Sequence, residues 1–413
     1  MKKRTLVILF SAIVIIAAAL LYHAWAAAPI AEPLPRQAPP RPLAQLAEPG
    51  VHEARFWQPM DDGRVRCYLC MHDCVIAEGR RGICRVRENR EGRLYTLVYG
   101  LLAATTVAPI EKDGMGMALP GTDVLAIATA GCNFRCKQCH NWHITQRYPE
   151  DVRAREFTPQ EVVDYALRRG ARTITGTINE PTVFFEFLYD VAVLARPQGL
   201  RMQFHTNAAI AEEPLRALLK RTDQVVVDLK GFCPDIYRRY YGGCLERVLR
   251  TLKIIREEGR WLEITNLVIP GVNDCLKEIR AMSEWIVEHL GPDVPLHFTR
   301  FFPAFKLTHL PSTPIRTLEE AREIAREAGI NFVTIGNVPG HKYNSTFCPQ
   351  CGEKIIHRVH FSVLRKSITD GRCDFCRHPI PGIWEDGDWV PQLRLRPPDP
   401  VSEAIKLGVI NSG

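Results

Sequence analysis

The sequence has almost no surplus of either charge: 53 lysines and arginines stand against 46 aspartates and glutamates, a formal +7 over 413 residues. The two signs are interspersed, and there is no basic pattern interleaved with aromatics. Both observations argue against a nucleic-acid-binding module. The chain is neither short nor loop-rich, which excludes a small disulfide scaffold even though it holds 14 cysteines. With 46% hydrophobic residues it can build a large core and more than one domain.

Only the N-terminus is markedly apolar. Lys2, Lys3 and Arg4 precede an apolar run from Thr5 to Ala28, long enough for the roughly 20 residues that span a bilayer. Ala24-Trp25-Ala26 also resembles a small-residue cleavage site, but the run is longer than a usual signal-peptide core. Residues 1–28 are therefore expected to anchor the protein in a membrane. The positive-inside rule would send the remainder outward, whereas the thiol chemistry below suits the cytoplasm. Residues 29–50, rich in proline and alanine, read as an extended linker.

Folded sequence is expected from Val51. Residues 51–120 form a cysteine-rich segment, and from Thr122 a rhythm sets in. Strand-like runs at Asp123–Thr129, Arg172–Thr177, Leu200–Thr206, Gln224–Leu229, Trp261–Ile269, Leu296–Phe302 and Asn331–Ile335 alternate with amphipathic helical stretches. Alternation of this kind predicts an α/β fold with a parallel sheet. Six or seven units fit a partial TIM-type (β/α) barrel over residues 121–343. After Asn344 the rhythm stops, leaving a small cysteine-bearing module over 344–390 and a tail over 391–413.

The cysteines are grouped, and the central group follows the first strand as Cys132-x-x-x-Cys136-x-x-Cys139. Loops after strand C-termini build the active sites of βα barrels. A [4Fe–4S] cluster normally takes four thiolates. Three would leave one iron bare, and an open metal position is what catalysis needs. A structural zinc site borrowing His140 or His143 is the bland reading, but this spacing after a strand is unusual for zinc.

This motif resembles that of the radical S-adenosylmethionine (radical SAM) superfamily, and the stretch Cys132–Trp142 is similar to pyruvate formate-lyase activating enzymes. Agreement continues through Asn179-Glu180-Pro181, Asp228-Leu229-Lys230-Gly231, Glu263 to Thr265, Ile269 to Asp274, His297 to Phe301 and Gly336 to Gly340. With its flanking cysteine sets, the whole pattern from about Arg64 to Trp384 most resembles the radical SAM component of the AmmeMemoRadiSam system. The resemblance implies a [4Fe–4S] cluster that chelates S-adenosylmethionine and cleaves it reductively. A 5′-deoxyadenosyl radical would then abstract hydrogen from a substrate. It also implies a reductant such as flavodoxin or ferredoxin, and it admits a partner protein as substrate. The residue before the last cysteine is usually aromatic in this family and lies against the adenine; here it is Gln138. Phe134 and Trp142 could substitute, or could simply be core.

Glu180 takes the place of the family's acidic residue that meets the methionine ammonium, with Asn179 beside it. A carboxylate opposite an ammonium is a charge-assisted hydrogen bond; the bland alternative is a helix N-terminal acid before Pro181. Thr206 and Asn207, ending a strand, could reach the sugar or carboxylate. Asp228 and Lys230 project to one side of their strand and are either cofactor-facing or a buried salt bridge. Glu263, Thr265, His297 and Arg300 occupy later strands, and the guanidinium fork of Arg300 suits a carboxylate.

Cys348-x-x-Cys351 and Cys373-x-x-Cys376 read as a four-cysteine zinc ribbon, with a second cluster as the alternative. Cys67, Cys70, Cys74 and Cys84 are less regular, with His72 as an extra ligand, and read as a zinc site or an auxiliary cluster. Cys233, Cys244 and Cys275 read as ordinary buried thiols. Two other functions compete with the radical enzyme: an electron-transfer protein that never cleaves S-adenosylmethionine, and a zinc-ribbon binding module.

Overall fold

A computed structural model describes residues 49–114 and 116–384. The tail and nearly all of the linker lie outside the described residues, as does the expected membrane helix over 1–28. Among the described residues no helix is long and apolar enough to cross a membrane. The longest has 15 residues, Leu276–Leu290, and carries Lys277, Glu278, Arg280, Glu284 and Glu288. A span needs about 20 apolar residues. On that finding the expectation of a membrane-anchored enzyme is corrected and not carried further.

The centre is an eight-stranded sheet. Its strands are β1 (Ala104–Pro109), β2 (Asp123–Ala128), β3 (Thr173–Gly176), β4 (Arg201–Thr206), β5 (Gln224–Asp228), β6 (Trp261–Val268), β7 (Leu296–Arg300) and β8 (Val333–Gly336). They lie side by side in chain order, with β1 antiparallel to β2 and every later neighbour parallel. Helices α1 (Pro159–Arg168), α2 (Phe185–Ala195), α3 (Glu212–Leu219), α4 (Leu245–Glu257), α5 (Leu276–Leu290) and α6 (Ile315–Glu327) each connect one strand to the next from β2 onward.

Local chemistry explains these elements. Strand β2 is buried at every position but its first, as expected of a parallel strand covered on both faces. Helix α1 opens on a complete capping box: Thr158 Oγ1 accepts from Glu161 N–H, and Glu161 reaches back to Thr158 N–H. Val162, Val163 and Ala166 then turn inward. Strand β1 carries no such signature, because only its outer position on the sheet tolerates Pro109.

Residues 52–96 form two small antiparallel sheets of three strands each. Beyond 344, Lys354–Val359 and Ser362–Lys366 make a hairpin joined by Thr346–Phe347. The expectation that Cys233, Cys244 and Cys275 are buried is corrected: the first two are half-buried and Cys275 is exposed. Each sits at the N-cap of a helical segment, where a loop meets solvent.

Candidate active site

At the C-terminal ends of β2 to β5 lies a cavity of about 520 Å³. Nine residues proposed from the sequence for the cluster and the cofactor line it: Cys132, Cys136, Cys139, Asn179, Glu180, Thr206, Asn207, Asp228 and Lys230. All three cysteines are free thiols, and among the described residues no fourth cysteine lines the cavity. Phe134 N–H approaches Cys132 Sγ at 3.4 Å, and Thr145 Oγ1 lies 3.2 Å from Cys139 Sγ. Three sulfurs opening on a space of this size fit the donor set of an iron–sulfur cluster with one iron left open.

The thiol loop is held at both ends. Asn179 Oδ1 accepts from Thr129 N–H at 3.2 Å, and its Nδ2 donates to Gly131 O at 3.0 Å. Its amide thus clamps the chain just before Cys132. Farther along, Arg135 N–H donates to Tyr241 O at 2.7 Å and Lys137 N–H to Tyr240 O at 3.0 Å. The same segment fixes Lys230, whose N–H donates to Tyr237 Oη at 3.0 Å and whose carbonyl accepts from Tyr241 Oη at 2.8 Å. Ile178, in the cavity wall, has φ +67°. That conformation strains a β-branched residue. Asn141 Nδ2 holds its carbonyl at 2.9 Å.

Glu180 is buried and densely bonded. Its Oε1 accepts from Thr182 N–H (3.1 Å), Thr182 Oγ1 (2.6 Å) and Thr206 Oγ1 (2.7 Å); Oε2 accepts from Asn207 N–H at 2.8 Å. Burial pushes its carboxyl above the ordinary value, and these donors oppose the shift. Asn207 Nδ2 donates to Asn133 Oδ1 at 2.8 Å.

Asp228 and Lys230 form an ion pair at 2.9 Å. It belongs to a longer array that the sequence did not reveal. His205 bridges two carboxylates, with Nε2 3.2 Å from Asp228 Oδ1 and Nδ1 3.3 Å from Asp113 Oδ1. Asp113 also accepts from Thr177 Oγ1 at 2.7 Å and from Gln203 Nε2. Burial alone would raise the Asp228 carboxyl, but Lys230 and His205 outweigh it and hold it well below the carboxylate range. Burial alone would lower His205, but Asp228 and Asp113 push it up to about 10.

That shift sets a pH dependence. A folded-state pKa above the unfolded value of about 6.5 stabilises fully below pH 6.5, and this stabilisation is lost as pH rises toward 10. The unfolding free energy, from urea titrations, should therefore decline across this window. The decline should be shallower in His205→Gln; parallel profiles for the two proteins would refute the assignment.

Gln138 is buried against the cavity, and its Oε1 has no hydrogen-bond partner. Phe134 is core, edge-on to Tyr237, and Trp142 stacks on Phe305. Arg300 Nε donates to Thr313 O at 2.8 Å, and Arg300 does not line the cavity. Glu263 accepts from Gly116 N–H (2.7 Å), Met117 N–H (2.8 Å) and His297 Nε2 (2.7 Å), fastening the loop that carries Asp113. Arg358, from the C-terminal module, donates to Gly116 O and to Thr346 Oγ1, the latter at 2.8 Å.

Residues 126–285 match the model of the radical SAM superfamily. An uncharacterized protein of Methanocaldococcus jannaschii is 42% identical over 332 residues, covering 80% of this chain and 99% of its own. The chain belongs to the radical SAM superfamily. Among radical SAM relatives, a pyruvate formate-lyase-activating enzyme of Streptococcus mutans is 26% identical over 208 residues, 46% of this chain and 74% of that protein. The crystal structure of Streptococcus suis SuiB bound to S-adenosylmethionine aligns with TM-score 0.43 and 14% identity, over 55% of this chain and 53% of that one.

In the C-terminal module, the Sγ atoms of Cys348, Cys351, Cys373 and Cys376 all lie within 4.8 Å of one another, a set that could hold a metal ion. Cys348 Sγ is 3.7 Å from Cys376 Sγ, and Cys351 Sγ is 3.8 Å from Cys373 Sγ.

Proposed function

We propose that this chain holds a [4Fe–4S] cluster on Cys132, Cys136 and Cys139 and binds S-adenosylmethionine at the iron they leave open. The observation that carries this reading is a triad of free thiols, with no fourth cysteine among the described residues, opening on one cavity walled by Glu180, Asp228 and Lys230. Bound there and reduced by one electron from an external donor, the cluster would supply reductive cleavage of S-adenosylmethionine to methionine and a 5′-deoxyadenosyl radical able to take hydrogen from a substrate.

The chain's own residues position and shield. Glu180 Oε2 carries one bond within the chain and keeps acceptor capacity for the methionine ammonium. Thr206 and the backbone of Asn207 orient that carboxylate, while Asn179 sets the loop of Cys132. Asp228 and Lys230, charged and fixed, face the cofactor and the substrate together. The sheet, with its open linear strand order, is consistent with a partial barrel spanning 121–343.

Gln138 stands where an aromatic residue would flank the adenine. Its unpartnered oxygen is suited to accept from the exocyclic amino group. A neutral hydrogen bond of this kind contributes about 0.5–1.5 kcal/mol net, which is roughly 2- to 13-fold in affinity. Gln138→Leu should accordingly change S-adenosylmethionine affinity by about tenfold or less, measured by equilibrium binding to the oxidised cluster. Weakened binding with iron content intact is expected, and unaltered or tighter binding would remove the side chain from adenine recognition.

At the C-terminal module the two sulfur separations match the edge of a tetrahedron with metal–sulfur bonds of about 2.3 Å. We assign it a structural zinc ion, within a module spanning 344–390. The electron donor is of the flavodoxin or ferredoxin class. Relatives named as pyruvate formate-lyase-activating enzymes support a partner protein as substrate. The deciding experiment is anaerobic reduction followed by S-adenosylmethionine. Formation of 5′-deoxyadenosine and an altered cluster EPR signal are expected; an intact reduced cluster whose spectrum ignores S-adenosylmethionine would overturn the reading.

A further inference from the structure

The N-terminal cysteines converge. Cys67 and Cys74 face each other across paired strands, Val65–Cys67 and Cys74–Ile76. Cys70 lies in the turn between them, and Cys84 arrives from the next loop. All four are free thiols. Together with Arg87 they line one void. Zinc bound tetrahedrally by four sulfurs at about 2.3 Å holds them roughly 3.8 Å apart. The C-terminal sulfurs, at 3.7 and 3.8 Å, are drawn together that tightly. The N-terminal four are not: among the described residues only the C-terminal set brings its ligand atoms all within 4.8 Å of one another.

Arg87, fully buried, donates to Cys67 Sγ at 3.8 Å and brings positive charge to a site of four thiolates. The void also abuts the central loop. His72 Nε2 lies 2.7 Å from Asn133 O. Arg135 donates to Cys132 O at 2.8 Å and also to Ile83 O. A Cβ on Gly131 would stand 2.7 Å from Cys84 O.

We propose that Cys67, Cys70, Cys74 and Cys84 hold a second [4Fe–4S] cluster, ligated at every iron and therefore closed to S-adenosylmethionine. The test is metal and sulfide analysis of the full chain after anaerobic reconstitution. Wild type should carry about eight irons, and the triple variant Cys132→Ala/Cys136→Ala/Cys139→Ala about four, with about four sulfides. On reduction that variant should give a cluster EPR signal indifferent to S-adenosylmethionine. Wild type with about four irons, all lost in the triple variant, would overturn the second cluster and leave the central reading standing. About four irons retained unchanged in the triple variant would do the reverse. Should the triple variant not fold, Cys67→Ala/Cys70→Ala provides the complement: iron falling by half supports the proposal, and a lost zinc with iron unchanged overturns it.

Discussion

Cys136→Ala, reconstituted and reduced without oxygen, forms no 5′-deoxyadenosine above background. The expected loss is at least about 1,000-fold, because the group removed holds the cofactor from which an acceleration of 10⁶ or more must come. The position admits no substitute. Cys136 is buried in the cavity wall, and among the described residues no further cysteine lines it. Its loop is pinned by the Arg135 and Lys137 bonds to residues 240–241, so the chain cannot slide another donor into place. Cys244→Ala, at a half-buried helix cap remote from these thiols in the sequence, is the control and should retain product formation. Chromatographic assay of the nucleoside, with circular dichroism to verify folding, checks both. Wild-type yields from folded Cys136→Ala would remove this thiol from the reaction.

Glu186→Ala should lower the unfolding free energy by about 3–5 kcal/mol, the cost of stranding a buried charge. Glu186 sits on α2, and its Oε1 receives Arg87 Nη2 and Arg55 N–H, the latter at 2.7 Å. Both side chains of the Arg87–Glu186 pair are 1% exposed. Without the carboxylate, the Arg87 guanidinium remains in the interior with Arg55 O, 2.9 Å away, and a cysteine sulfur as neighbours. Replacing both members, as in Arg87→Met/Glu186→Leu, should recover much of the loss, because a well-packed apolar pair avoids the desolvation penalty. Urea unfolding of the metal-loaded proteins measures the difference. A change within about 0.5 kcal/mol, as for an ordinary surface substitution, would mean that the N-terminal segment is not held through this pair.

Much was legible along the chain, because the signals were short-range. A thiol triad spaced over eight residues and strand-like runs that alternate with amphipathic helical stretches each depend on neighbours a few positions away. The strands from β2 to β8 accordingly appear close to where the sequence places them, and nine residues chosen for the cluster and the cofactor border one cavity. Some individual assignments shifted in character. The Asn179 amide is occupied by the loop before Cys132, and Arg300 is committed to Thr313 O. Residue type told what each group could bond to, but not which of several partners would be nearest.

By itself the sequence determined the family chemistry: the spacing of Cys132, Cys136 and Cys139 and the βα rhythm that delivers them to strand ends. Only the tertiary structure decided what stands opposite them. Asp113 comes from the loop after β1 and His205 from β4, yet they meet Asp228 and Lys230 in one charged array. Cys84 and Arg87 complete a void begun at Cys67. The reason is geometric: a covalent spacing restricts neighbours to a few ångströms, whereas groups some 90 residues apart, such as Asp113 and His205, meet only once the sheet and its covering loops have closed.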